Sequence, residues 1–297
     1  MTDSYEFIDS FRIGAKYAYP LAKMCVWLEV SKSGFCSWRS RPASATALRR
    51  ADLKDEITEV FGGSDGTYGY RRVHAKLRRR GKPCGPELVR HLMGELELVP
   101  CQPRPRVSLT KRDQAEHHIP DLLRQDFTAD RPGTTLIGDI TYIPTWEGWL
   151  YLATVIDVHT RMVVGYAMDD NYRTPLISAA LRNAARNQPL APGAVFHSDR
   201  GSNYTSAEFA ATVADLDMRQ SMGRTGICYD NSMAESFFAA LKNERTHRTA
   251  YPTRRHAQAD ISRYIELWYN QRRLHSGLGY KTPRESLEDW TNTLAAA

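Results

Sequence analysis

The spacing of apolar residues follows a helical period through the first part of the chain. Residues 20–39 predict two short helices around a turn at Glu29-Val30, with Ser31 or Ser33 capping the second. A longer amphipathic helix follows and ends at residues 62–70. Its apolar positions are Leu48, Leu53, Ile57, Val60 and Phe61.

A second pair of helices is predicted over residues 70–81 and 86–99. A Gly-Lys-Pro break separates them, Pro86 stands at a first-turn position, and Pro100 follows the end. Both helix pairs have the outline of a helix-turn-helix unit, a common DNA-binding element. Plain helical packing is the alternative that the pattern leaves open.

After residue 131 the spacing of apolar residues becomes that of β-strands. Three β-rich runs, residues 134–146, 148–160 and 161–168, are separated by short turns and predict an antiparallel meander. Mixed strands followed by alternating helices and strands indicate an α/β domain, in which chemistry is found where strands end. The later elements are a helix over 174–188, an apolar run over 193–199, a helix over 206–216 and a short run near 219–223.

Length and composition fit a globular protein of two or three modest domains, since the chain has 297 residues and 42% apolar content. Its apolar runs are far shorter than a bilayer span, and its first residues lack the order of a signal peptide, so we expect a cytoplasmic protein without membrane contact. The five cysteines are scattered and show neither a disulfide framework nor zinc spacing.

Positive charge is concentrated in the first half. The net charge is +6, but residues 70–112 alone carry twelve Lys and Arg against three Asp and Glu. A basic block on helices is suited to neutralising phosphates and releasing their counterions. A solvated basic surface is the alternative, in which the arginines at 78–80 only solvate a helix end.

Three acids occupy positions of chemical interest. Asp139 lies in the middle of the first predicted strand, where a charge is costly unless it is paired or binds a cation. Asp199 ends an apolar run and begins a polar turn, and Glu235 lies on a helix that Asn231 or Ser232 can cap. Considered singly, each acid can also be explained as a turn-forming residue or a solvated charged side chain.

Two further acids are explained without a catalytic or metal-binding role. Asp157 lies in a predicted hairpin turn and Asp230 just before a helix, where local hydrogen bonding accounts for both.

These residues carry a family resemblance. Asp139, the stretch HSDRGSNYTS with Asp199, and YDNSMAESFFAALKNE with Glu235 resemble the DDE triad of retroviral-type integrase cores, in particular that of insertion-sequence-three family transposases, second reading frame. TYGYRRVHAKLRRRG and VRHLMGEL resemble that family's N-terminal helical module, and YNQRRLHSGLGYKTPRES its C-terminal signature. The resemblance extends from about Tyr19 to Leu287.

The resemblance implies an α/β, RNase H-like catalytic core, a mixed sheet flanked by helices, behind an all-α helix-turn-helix DNA-binding region. It implies Mg²⁺-dependent DNA cleavage and strand transfer at element ends by a DDE transposase. Asp139 and Asp199 would share one of two ions and Asp139 and Glu235 would hold the other, with Mn²⁺ as a substitute. Two divalent ions about 3.5 to 4 Å apart activate the attacking oxygen and stabilise the leaving one.

The expected partners are the terminal repeats and target DNA, a second copy in a homo-oligomer at the nucleoid, and an upstream-frame protein or fusion. Lys242 lies seven residues after Glu235, two helical turns or about 10.5 Å along the same face. The resemblance adds a preference for a basic residue there, and we expect it to hold a phosphate; an exposed solubilising lysine is the alternative. The expected DNA contacts are Lys242, Asn203, Arg71, Arg72, Arg78, Arg79, Arg80, Arg272, Arg273 and His275.

The domains that we predict are an N-terminal helical region (1–62), a basic helix-turn-helix module (63–115), a linker (116–130), the catalytic core (131–250) and a C-terminal helical, basic segment (251–297). Two other functions stay open at this point. One is a catalytically silent DNA-binding regulator, and the other is a metal-dependent nuclease without joining activity.

Overall fold

The computed structural model describes residues 2–14, 19–101, 119–223 and 231–296. The chain forms two compact units, Met1–Val60 and Phe61–Ala297. The predicted domain boundaries stay predictions. In the described residues, no helix has the length and apolar content to cross a membrane.

The first unit is helical. Glu29 has a left-handed φ of 54° at the predicted turn, and Gly34 N donates to Ser31 Oγ at 2.9 Å, so both the turn and the Ser31 cap are confirmed. Its core contains Ile8, Met24 and Phe35. The helices are α1 (Thr2–Gly14), α2 (Leu21–Trp27), α3 (Lys32–Ser40) and α4 (Ala45–Gly63), which ends in the second unit.

One predicted apolar position of α4 is wrong. Leu48 is 60% exposed, whereas Leu53 and Ile57 are buried. Five residues separate Leu48 from Leu53, which at 3.6 residues per turn rotates its side chain about 140° away from the buried face. Helix α1 has no counterpart among the elements predicted from the sequence.

The second unit begins with the predicted helix pair, α5 (Tyr70–Arg79) and α6 (Pro86–Glu95). Val73, Leu77, Val89 and Leu92 are fully buried. Pro86 is at the start of α6, as expected for a residue whose missing N–H would be unpaired there.

A five-stranded sheet follows in the order β3-β2-β1-β4-β5. β1, β2 and β3 pair antiparallel, which confirms the meander, while β4 pairs parallel with β1 and β5. β1 pairs with β4 only over Thr135–Ile137. The strands are β1 (Thr135–Thr145), β2 (Gly148–Asp157), β3 (Val163–Asp169), β4 (Ala194–Ser198) and β5 (Met218–Met222).

Helices cover both faces of this sheet. α7 (Thr174–Asn187) and α8 (Ala207–Asp215) pack on the face that contains Leu136 and Phe196. α9 (Ser232–Leu241) and α10 (Arg254–Arg263) pack on the face that contains Ile137 and Ile143. The expected fold class, a mixed sheet flanked by helices behind a helical region, is confirmed.

The C-terminal segment packs back on α5. Tyr68 Oη donates to the Arg272 carbonyl at 3.1 Å and accepts from Leu274 N at 2.9 Å, and Arg79 pairs with Glu285. The remaining elements of the second unit are π-helical turns at Lys242–Thr246 and Tyr264–Tyr269, a 3₁₀ turn at Ser276–Leu278, and α11 (Pro283–Ala295).

Candidate active site

Asp139 lies just beyond the last β1–β4 pair, where one edge of β1 becomes free. The preceding residue, Gly138, packs so closely on the Phe196 ring that a Cβ atom there would collide with it. Asp139 is partly buried, and Ile140 N donates to its Oδ1 at 2.8 Å. A small residue before the acid therefore brings β1 and β4 together next to the carboxylate.

Asp199 is the first residue after β4. Gly201 N donates to Asp199 Oδ1 at 3.1 Å, and a Cβ atom on Gly201 would lie 3.1 Å from that same oxygen. The Asp-Arg-Gly sequence therefore turns the backbone sharply and leaves space directly beside the carboxylate.

Glu235 lies in the first turn of α9, partly exposed, next to the buried residues Ala234 and Phe238. Asn231 occupies the N-cap position, but its side chain makes no cap bond. Its Nδ2 donates instead to the Gly138 carbonyl at 3.4 Å, while its buried Oδ1 has no partner among the described residues. Asn231 thus ties the helix of Glu235 to the strand of Asp139, a role that the sequence does not predict.

The carboxylates act on one another electrostatically. Burial and then the charge of Asp199 raise the pKa of Asp139 well above its usual range, with a smaller contribution from Glu235. Burial also raises the pKa of Asp199, although the hydrogen bond from Gly201 N and the charge of His197 act to lower it. The structure therefore brings the three acids into one electrostatic cluster, in which full ionisation is unfavourable without a cation.

Tyr204 belongs to the same cluster and was not selected from the sequence. Its ring is buried beside Phe196 and Phe209. Burial and the charges of Asp139 and Asp199 raise its pKa well above the usual value, so the phenol stays protonated next to the acids.

The donor set suits a hard divalent ion. In the described part of the chain, no three acids, histidines or cysteines converge closely enough to form a ready-made metal site. The residues present are nevertheless three carboxylates, the oxygen ligands that Mg²⁺ prefers, and the repulsion between Asp139 and Asp199 is what a bound cation would offset.

Lys242 begins the π-helical turn after α9 and is partly buried rather than exposed. Its Nζ lies 5.2 Å from the centre of the Tyr142 ring. Burial lowers the pKa of Lys242, and the charge of Asp139 opposes that effect. Lys242 therefore stands between the acid cluster and the outer part of β1.

The remaining residues expected to contact DNA fall into different environments. Arg71, Arg78 and Arg80 on or beside α5, and Arg272, are exposed, and Asn203 is partly buried after β4. Arg71 Nε also donates to the neighbouring Tyr70 Oη at 3.2 Å. Two further arginines of α5 contact the C-terminal segment: Arg72 Nε donates to the Leu274 carbonyl at 3.0 Å, and Arg79 pairs with Glu285.

Two side chains expected at the DNA cannot offer a charge to it, since Arg273 is buried and His275 is partly buried. Arg273 is 8% exposed and its Nη2 lies 2.7 Å from Glu244 Oε1. Burial and the nearby positive charges of Arg273, Arg72 and Arg161 lower the pKa of His275 to about 2, so its ring is neutral. We therefore correct these two assignments, because neither side chain can present a charge to phosphate.

Asp157 behaves as expected for a structural acid. It is fully buried, Oδ1 accepts from Thr160 N and Oγ1 at 2.8 Å, and Oδ2 accepts from Gly133 N at 2.7 Å and Gln188 Nε2 at 3.0 Å. Hydrogen bonding in the turn thus satisfies Oδ1, and two more distant donors satisfy Oδ2. Asp230 lies outside the described residues.

Family models match most of the second unit. Residues 129–228 and 216–283 match two models described as integrase core domain, and residues 48–106 match a model described as HTH-like domain. By structure, the chain is similar to the catalytic core domain of HTLV-2 integrase in complex with magnesium, in its dimeric form. The TM-score is 0.42 with 16% identity, over 52% of this chain and 97% of that one.

Relatives cover nearly the whole chain. The transposase for insertion sequence element IS904 of Lactococcus lactis subsp. lactis (strain IL1403) is 36% identical over 245 residues, 82% of this chain and 97% of the relative. Transposase InsF for insertion sequence IS3A of Escherichia coli (strain K12) is 33% identical over 272 residues, 90% of this chain and 93% of the relative. The chain therefore belongs to the insertion-sequence-three family of transposases.

Proposed function

We propose that Asp139, Asp199 and Glu235 are the acids with which this transposase cuts DNA at the ends of its element and joins those ends to target DNA, with Mg²⁺ as cofactor. The observation that carries the proposal is the electrostatic cluster itself. Burial raises the pKa values of Asp139 and Asp199, and the charge of Asp199 raises that of Asp139 further, an arrangement that costs stability and is typical of functional sites.

Asp139 and Asp199 would hold one Mg²⁺ or Mn²⁺ ion, and Asp139 with Glu235 a second. When bound, such ions increase the nucleophilicity of the attacking oxygen and stabilise charge on the leaving one. Asp139 would be the shared ligand, because the charges of both Asp199 and Glu235 raise its pKa. Asn231 holds the start of α9 on the Gly138 carbonyl and so sets where Glu235 stands relative to Asp139.

The reaction exchanges phosphodiester bonds without an external energy source. In cleavage, a water oxygen forms the new P–O bond and the deoxyribose 3′ oxygen leaves with a proton. In joining, that 3′ oxygen forms a P–O bond to target DNA and a second 3′ oxygen leaves. Lys242 positions the DNA by holding a phosphate next to the scissile one, a contact that orients substrate without activating the nucleophile.

The DNA path follows the exposed cations. Arg71, Arg78, Arg80 and Arg272 provide positive charge on the surface, and Asn203 lies in the turn that follows Asp199. Two element ends must be joined in one event, so the active form is a homo-oligomer on DNA at the nucleoid. An upstream-frame protein or fusion is a further proposed partner.

Substitution of the acids tests this proposal. Asp139→Asn, Asp199→Asn and Glu235→Gln each remove a carboxylate oxygen charge, and we expect cleavage and joining of an end oligonucleotide to fall at least 100-fold, about 2.7 kcal/mol in activation free energy, while end binding persists. Asp169→Asn, an exposed acid at the end of β3, is the matched control and should keep the parent rate.

Residual activity within tenfold of the parent would remove that residue from the site. The same assay separates the other functions, since cleavage without joining identifies a nuclease and end binding with neither reaction identifies a regulator.

A further inference from the structure

The hairpin between β1 and β2 carries exposed aromatic side chains. Trp146 is 78% exposed and Trp149 is 49% exposed, and the Trp149 ring stacks edge-on against Tyr142 with 4.8 Å between ring centres. We call Tyr142, Trp146 and Trp149 the aromatic hairpin. Its two indoles expose a large apolar surface to solvent, and an exposed apolar surface of this kind is typical of a binding site.

The backbone of this hairpin is held firmly although its indoles are exposed. Trp146 N donates to the Tyr251 carbonyl at 3.1 Å, and Thr145 Oγ1 donates to the Gly148 carbonyl at 2.6 Å. Arg254 Nε donates to the Trp149 carbonyl at 3.0 Å, and Arg254 N donates to Glu147 Oε2 at 2.8 Å. A platform fixed in this way needs little ordering when a ligand binds.

Positive charge flanks the aromatic hairpin at both ends. Lys242 Nζ lies 5.2 Å from the Tyr142 ring centre, and the Arg254 guanidinium lies against the tip, where a Cβ on Gly148 would be 3.1 Å from its Nη2. Flat aromatic surfaces between cations match a nucleotide strand, because the rings stack on bases while the cations hold phosphates.

The aromatic hairpin lies on the same pair of strands as Asp139. Tyr142 is three residues from Asp139 on β1, about 10 Å at the usual rise of a strand, and the tip at Thr145 is about 20 Å away. β1 and β2 pair without a break from Leu136–Asp157 to Thr145–Gly148, so the tip and the acid belong to one stiff ribbon.

We propose that the aromatic hairpin stacks an unpaired nucleobase of the DNA that is bound at the acid cluster. The inference rests on the proposed function only in taking the acid cluster as the place where DNA binds. A second copy of the chain is a poorer fit, since three aromatic side chains bury about 450 to 750 Å² in total, less than the roughly 800 Å² per partner of a stable interface.

The test uses the full-length chain without divalent ions, so that no cleavage occurs. The probe is a DNA duplex with a three-nucleotide unpaired tail that contains 2-aminopurine, whose fluorescence falls when it stacks on an indole. We expect the parent to quench the tail, and the double substitution Trp146→Ala with Trp149→Ala to abolish quenching. The double variant should bind the tailed duplex at least fivefold more weakly but bind the blunt duplex equally.

Three controls keep the result specific. Trp146→Phe with Trp149→Phe should retain most of the quenching, and Trp27→Ala, which changes another exposed tryptophan, in the first unit, should retain all of it. Asp139→Asn should quench like the parent, which separates failure of this inference from failure of the proposed metal site. Unchanged quenching and affinity in the alanine variant would overturn the inference. So would equal loss of blunt-duplex binding together with a smaller oligomer on sedimentation, which would identify a protein interface.

Discussion

At the scale of single residues, hydrogen-bond partners distinguish the structural acid of the core from the catalytic candidates. Asp157 has donors on both oxygens, whereas Asp139 accepts from the neighbouring Ile140 N–H and faces other acids. Both acids follow apolar residues in a strand, so the difference is visible only once the strands are paired.

Asp157→Asn should lower the free energy of unfolding by about 1 to 3 kcal/mol. The new amide NH₂ would face hydrogen-bond donors at the place where a carboxylate oxygen accepts their bonds. Urea unfolding followed by circular dichroism measures this. Strand transfer per folded molecule should match the parent, and a variant of parental stability would show that the two bonds to the replaced oxygen contribute nothing.

Asp139→Asn should have the opposite effect on stability. The pKa of Asp139 is raised in the folded state, so folding favours its protonated form. The stabilisation from that proton is present at low pH and is lost as pH rises through the folded pKa. Without divalent ions, the melting temperature of Asp139→Asn should therefore exceed that of the parent at pH 7.5, and the difference should shrink near pH 4.

Added Mg²⁺ should stabilise the parent and not this variant, because only the parent has the carboxylate to bind it. A variant that melts below the parent at pH 7.5 without metal would contradict this account of the cluster.

At the scale of elements, the π-helical turn Lys242–Thr246 determines where two charged residues point. Lys242 lies toward Asp139 and Tyr142, while Glu244 is buried with Arg273, Tyr264 and Trp268. The interactions with Arg273 and the two aromatic donors lower the pKa of Glu244 against the effect of burial.

Glu244→Gln should destabilise the protein by about 3 to 5 kcal/mol, since it leaves the Arg273 charge buried and unpaired. Because the folded-state pKa of Glu244 is lowered, its contribution is present above the unfolded-state pKa and is lost as pH falls through the folded one. Asp289→Asn, which breaks the exposed pair with Lys281, is the control and should cost less than about 1 kcal/mol. Equal costs for the two would contradict the burial argument.

The elements that the sequence predicted are those with a clear apolar period. The strands of the meander, α5 to α8 and the Ser31 cap follow from local pattern and capping chemistry. The π-helical turns have no such signature, because a few residues with shifted hydrogen bonds keep almost the same apolar spacing. The burial of Arg273 also escapes a local pattern, since its partner Glu244 is 29 positions away.

The residues of the candidate site also fall into those that the sequence predicts and those that only the folded structure shows. Asp139, Asp199 and Glu235 were selected from spacing and resemblance. Asn231 and Tyr204 needed the packing of α9 on β1 and of the turn after β4 on Phe196. The Asn231 bond to Gly138 joins segments 93 positions apart, and Tyr204 is coupled to Asp139 on a strand from another part of the sequence.

At the scale of the whole molecule, DNA affinity should depend on salt through the exposed arginines. Arg71→Ala and Arg78→Ala should each reduce the slope of log Kobs against log salt by about 0.9, the value for one phosphate contact. Arg79→Ala should change the slope less, because Glu285 already holds that guanidinium. Fluorescence anisotropy of a labelled end duplex at several salt concentrations measures all three. Slopes that stay parental would place the DNA path elsewhere.

The contact of Tyr68 with the C-terminal segment also has a consequence for how the protein is made. Tyr68 and Leu274 are 206 positions apart, yet they share a hydrogen bond in the finished fold. At a synthesis rate of about 5 to 20 residues per second, the ribosome releases the second partner about 10 to 40 s after the first. During that interval α5 is present on the nascent chain without the surface that covers Tyr68, so the helix pair reaches its final environment only after Leu274 has been synthesised.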